Sequence, residues 1–75
     1  MPRAYKYTQD ELEYIRKYVF MTDRERKVFN LFYFRGWSIY QIADKIGYSR
    51  PTVARDLAKI RDKANERLKN RRKNN

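Results

Sequence analysis

The sequence contains no cysteine and no histidine. Without thiols, neither a disulfide nor a thiolate-bound metal can reinforce the fold. Without imidazole, the commonest general base and the commonest metal ligand are both missing. Paired carboxylates or an activated lysine would be the remaining routes to catalysis, and no spacing in the chain supports either. The chain therefore reads as a non-enzyme, with no cofactor and no metal site. Glycine and proline number two each, which suits a mostly helical chain with short connections. No stretch approaches the roughly 20 apolar residues that cross a bilayer, and no signal peptide is visible. No membrane partner is expected, and the protein is expected to be cytoplasmic.

What is present begins with charge. Nineteen Lys and Arg stand against nine Asp and Glu, a net of +10. The excess is uneven. Residues 50–75 carry ten basic and three acidic residues, a net of +7; residues 1–49 carry nine and six, a net of +3. Such asymmetry points to a polyanion meeting the C-terminal half. With 75 residues the chain can hold one domain with a small core, and its twelve aromatics supply large contact areas.

The apolar residues recur at helical spacing between capping patterns. Thr8-Gln9-Asp10-Glu11 has the form of a capping box, followed by Leu12, Ile15 and Val19 on one face, so a helix is expected near 9–20. Thr22-Asp23-Arg24-Glu25 repeats the cap, and Val28, Leu31 and Phe32 follow. "VFNLFYF" also suits a strand. The cap and the lack of a partner strand favour a helix ending near Arg35-Gly36, with Phe29, Phe32, Phe34 and Trp37 in the core. Ser38-Ile39-Tyr40-Gln41 is a third box, ahead of Ile42, Ala43 and Ile46, and Gly47 stops that helix. Ser49 then caps a last helix, with Pro51 tolerated in its first turn. Val53, Leu57, Ile60, Ala64 and Leu68 form its stripe, and it is expected to run to about Leu68 before fraying.

Two helices joined by three residues, with glycine at the turn, describe a helix-turn-helix at 38–61. Ala43 is small where a larger side chain would hold the helices apart, and Val53 lies between them. The expected fold is all-α: a small domain of about four helices over residues 1–68, with a basic disordered or frayed tail at 69–75. Around the last helix, at about 100° per residue, Pro51, Arg55, Lys59 and Asp62 oppose the apolar stripe. Base edges in a major groove would then meet Pro51, Thr52, Ala54, Arg55 and Lys59, with Arg55 suited to a bidentate contact with guanine. Ser38, Tyr40, Gln41 and Arg50 suit phosphates, with Ser38, like Ser49, serving also as a cap. Arg67, Lys69, Arg71, Arg72 and Lys73 form a basic end that would follow the DNA backbone.

Residues 21–64 resemble the DNA-reading domain of bacterial sigma factors, region four, and are similar to the LuxR-type response-regulator domain. The resemblance rests on Thr22-x-Arg24-Glu25-Arg26, Gly36-x-Ser38, Ile42-Ala43, and Ser49-x-x-Thr52-Val53 with Ile60 following. A helical segment ahead of residue 21, and a recognition helix with only "KNRRKNN" after it, are expected of the sigma branch. Ile39-Tyr40 stand where both families often carry polar or acidic residues, and Asp56 stands where the pattern has an apolar one.

The resemblance implies a bacterial or phage transcription regulator that binds double-stranded DNA and is associated with the nucleoid. It also brings in a second reading, an RNA polymerase-binding module that redirects or inhibits transcription. A phage DNA-packaging or recombination accessory is a third. A homodimer would bind paired half-sites about one helical turn apart.

Overall fold

The structure, a computed structural model, describes residues 7–73, with side chains as far as Arg71. Four α-helices follow in order: α1 (Gln9–Tyr18), α2 (Asp23–Phe29), α3 (Ile39–Ile46) and α4 (Arg50–Lys73), with a π-helical turn at Asn30–Phe34 extending α2. No strand occurs among the described residues.

All three expected capping boxes form. Thr8, Thr22 and Ser38 each accept from the backbone N–H three residues on, while Glu11, Glu25 and Gln41 return the bond to the cap's own N–H. Each box satisfies two donors that a helix start would otherwise leave without partners. α1 ends at Tyr18, two residues short of the expected limit, because Val19 turns extended and drops its side chain into the core at 7% exposure.

The "VFNLFYF" run is helical, but its second half abandons α-geometry. Arg35 donates its N–H to Asn30 O at 3.0 Å, an i→i+5 bond, and Trp37 donates to Leu31 O at 2.9 Å. A wider turn brings aromatic rings together that α-spacing would spread around the helix. Phe29 meets Tyr33 at 5.2 Å and Phe34 edge-on at 5.6 Å, and Phe32 meets Tyr33 at 5.0 Å. Phe29 is fully buried; Phe32, Phe34 and Trp37 are half-buried against the core rather than inside it. Gly36 then leaves the helix at φ 73°.

α4 is the spine, about 36 Å long at 1.5 Å per residue. α1, α2 and α3 all pack on it. Its stripe of Val53, Leu57, Ile60, Ala64 and Leu68 is buried along its whole length and meets Leu12 and Ile15 of α1, Val28 and Phe29 of α2, and Ile42 and Ala43 of α3. Against the expectation of fraying after Leu68, α4 continues to Lys73. Lys and Arg are good helix formers, and their cations are favoured at the negative end of the helix dipole. Residues 1–6, 74 and 75 lie outside the described residues, and with them part of the expected domain and tail. No described helix is long and apolar enough to cross a membrane.

Candidate nucleic-acid interface

The turn between α3 and α4 is built as its residues suggest. Gly47 adopts φ 78°, and its N–H and that of Tyr48 both donate to Ala43 O, at 3.0 and 3.1 Å. That left-handed residue ends α3 and swings the chain to Ser49, whose Oγ accepts from Thr52 N at 3.4 Å while its carbonyl accepts from Val53 N at 3.1 Å. Ile42 and Val53 are fully buried, with Ala43 and Leu57 nearly so. The helices are therefore locked through their apolar sides, and rotation of α4 is set by packing.

That rotation leaves Pro51, Ala54, Arg55, Lys59 and Asp62 exposed on one side of α4. Among the described residues, neither Arg55 nor Lys59 has a carboxylate within ion-pair distance. Thr52 is half-buried and its hydroxyl shares a hydrogen bond with Ser49 Oγ at 2.9 Å. It must rotate off its cap to meet a base. Arg50 is exposed at the start of α4, with its guanidinium over the Tyr40 ring at 4.7 Å; Tyr40 is itself 65% exposed. These two flank an open groove of about 600 Å³ that runs past Asp44, Gly47 and Pro51.

Ser38 and Gln41 are both exposed but already engaged. The Ser38 oxygen accepts from Gln41 N at 3.2 Å and Gln41 Oε1 accepts from Ser38 N at 2.9 Å. Their first role is the α3 cap. The basic end divides. Lys69 lies 14 residues beyond Arg55, nearly the same side of α4 but about 21 Å further along. Arg67 and Arg71 turn toward α1, stacking over Tyr18 at 5.8 Å and Tyr14 at 4.6 Å. They are not on the side of Arg55. The side chains of Arg72 and Lys73 lie outside the described residues.

Two charged pairs behind the interface escape a reading of periodicity alone. Asp56 is 2% exposed, and Arg24 at the start of α2 grips it with two bonds, Nε to Oδ2 at 2.8 Å and Nη2 to Oδ1 at 3.1 Å. The Arg24 guanidinium also lies 4.6 Å from the Tyr48 ring centre. Asp56, with Tyr48 beside it, holds this guanidinium charged far above any physiological pH. The second pair joins Lys63 Nζ to Glu25 Oε1 at 2.8 Å. Burial pushes the Glu25 carboxyl up, but Lys63 and the Thr22 backbone N–H outweigh it and hold it below its ordinary value. Together the pairs pin the N-terminus of α2 to α4 at two points seven residues apart. The signal for the first was Asp56 itself, a charge at an apolar position of the pattern.

Residues 21–63, more than half the chain, match the family model described as sigma-70, region 4. No curated protein and no solved structure matches the chain.

Proposed function

Because the chain belongs to the sigma-70 region 4 family, its helix-turn-helix is a DNA-binding, transcription-related module, and we propose that it reads a specific duplex sequence with the exposed side of α4. The observation that carries this reading is the exposed cationic face of Arg55 and Lys59, neither with a carboxylate within ion-pair distance among the described residues, while the opposite face is buried. Arg55, in the second turn of α4, reaches base edges, with Pro51 and Ala54 giving shape and apolar contact and Lys59 reaching further along the groove. Arg50 and Tyr40 grip phosphate beside the α4 N-terminus, where backbone N–H groups favour an anion. Lys69 extends the cationic side without reading sequence.

Selection of bound sequences from a random duplex pool, followed by titration of wild type and Arg55→Ala at several salt concentrations, tests it. Loss of about 1–3 kcal/mol on the selected site, with little loss on random duplex, is the expected result. Equal loss on both would refute base reading by Arg55. A palindromic selected site would indicate a dimer, and a single short site a monomer. The family also brings RNA polymerase in as a partner. Retention on polymerase with no promoter present would support a sigma-like docking role, since a pure operator binder would wash through.

A further inference from the structure

Beyond the helix-turn-helix, α4 carries a second cationic stripe. Lys63, Arg67 and Arg71 are spaced by four and project from one face, turned between about 80° and 160° away from Arg55. They lie along α1 and the residues after it in reverse order. Lys63 sits over Phe20 at 5.7 Å, Arg67 over Tyr18 at 5.8 Å and Arg71 over Tyr14 at 4.6 Å. Lys17 approaches the Tyr18 ring at 5.5 Å, and the Tyr14 and Tyr18 rings are 4.8 Å apart.

Two features mark this ridge as unfinished. Phe20 is 77% exposed, more than any other large apolar residue among those described, and has no polar atom in its side chain to favour water. Beside it opens a cleft of about 380 Å³ lined by Tyr18, Val19, Lys63, Glu66, Arg67 and Asn70, in which Glu66 is the one acidic group. Lys63 is neutralised by Glu25, but among the described residues Lys17, Arg67 and Arg71 have no carboxylate within ion-pair distance. The ridge is thus an apolar anchor bordered by three uncompensated cations, two of them guanidiniums already ordered on aromatic faces.

We propose that this ridge docks an acidic peptide segment carrying an aromatic or long aliphatic side chain. The apolar side chain covers Phe20 in the cleft, and the carboxylates pair with Arg67, Arg71 and Lys17. Guanidiniums take carboxylates in a two-pronged geometry, and rings that already hold them in place reduce the ordering cost of binding. A single nucleic-acid strand fits less well. Successive bases stack on open ring faces, whereas Tyr14, Tyr18 and Phe20 each already have a cation over the ring, from Arg71, Arg67 and Lys63 respectively. Because the ridge and the Arg55 side point different ways, DNA and an acidic partner can be held together.

The test uses the full chain and three labelled probes of equal length: a peptide of glutamates interspersed with leucine and one phenylalanine, oligo-glutamate, and oligo-thymidine. Fluorescence anisotropy is expected to rank the mixed peptide at least about tenfold tighter than oligo-glutamate. Phe20→Ser and Arg67→Glu are each expected to weaken it by at least about tenfold. Phe20→Leu is expected to retain most of the binding, and Phe20→Ser to leave helicity and duplex affinity unchanged. Equal binding of oligo-glutamate would reduce the ridge to unspecific charge and overturn the proposal. So would an unaltered affinity in Phe20→Ser. Tighter, Phe20-dependent binding of oligo-thymidine would reassign the surface to single-stranded nucleic acid.

Discussion

Replacing Arg24 by leucine and, separately, Asp56 by leucine should damage the fold unequally, although each change breaks the same ion pair. Asp56 sits at 2% exposure on the inner side of α4, whereas the Arg24 side chain is 40% exposed. Losing Asp56 lets the guanidinium swing into water beside Tyr48. At position 56 the leucine gains about 1.5–3 kcal/mol of apolar burial, against about 1.5–3 kcal/mol for the charge-assisted bonds that vanish. The net for Asp56→Leu should therefore lie within about 1.5 kcal/mol of zero, since well-packed apolar replacements of buried ions are often tolerated.

Arg24→Leu instead strands the carboxylate. A buried Asp56 with no cation costs about 3–5 kcal/mol, and in a domain of this size each 1 kcal/mol moves Tm by about 4–8 °C. Urea denaturation and thermal melts followed by circular dichroism measure both variants. The double leucine variant should recover most of what Arg24→Leu loses, because no unpaired charge remains. If Asp56→Leu proves as damaging as Arg24→Leu, the pair is holding α4 by geometry rather than by mutual neutralisation, and the reasoning fails.

Gly47→Ala tests the turn. Its added Cβ would meet nothing within 4 Å, so only the left-handed backbone at φ 78° is penalised. The expected cost is about 1–2 kcal/mol, with Gly47→Asn recovering part of it, both read from thermal melts. A much larger loss would mean that the turn needs more than a permissive φ. Glu25→Gln tests the second pair through pH. The folded carboxyl is held below its ordinary value of 4.5, so its stabilising effect is present above that value and lost as pH falls toward the lowered one. Urea midpoints at pH 7, 5 and 3 should show the gap between wild type and variant constant from 7 to 5, then shrinking by 3. A gap that holds or widens in acid would contradict the assignment.

By itself the sequence determined the helices, their caps and the turn. These depend on interactions within a few residues: a Thr or Ser oxygen reaching the N–H three positions on, a stripe at 3.6-residue spacing, a glycine free to take positive φ. The exposed side of α4 followed from the same arithmetic, since burying Val53, Leu57 and Ile60 leaves Arg55 and Lys59 one direction to point. Tertiary structure decided the rest, because each remaining feature depends on which distant residue arrives alongside. Asp56 became buried and useful only because Arg24, 32 positions away, was delivered beside it. The aromatic run took a π-turn through the packing of its rings on one another and the core, which no helical wheel contains. Arg67 and Arg71, indistinguishable in the sequence from other basic residues of the C-terminal segment, turned away from the DNA side because α1 brought Tyr18 and Tyr14 beneath them.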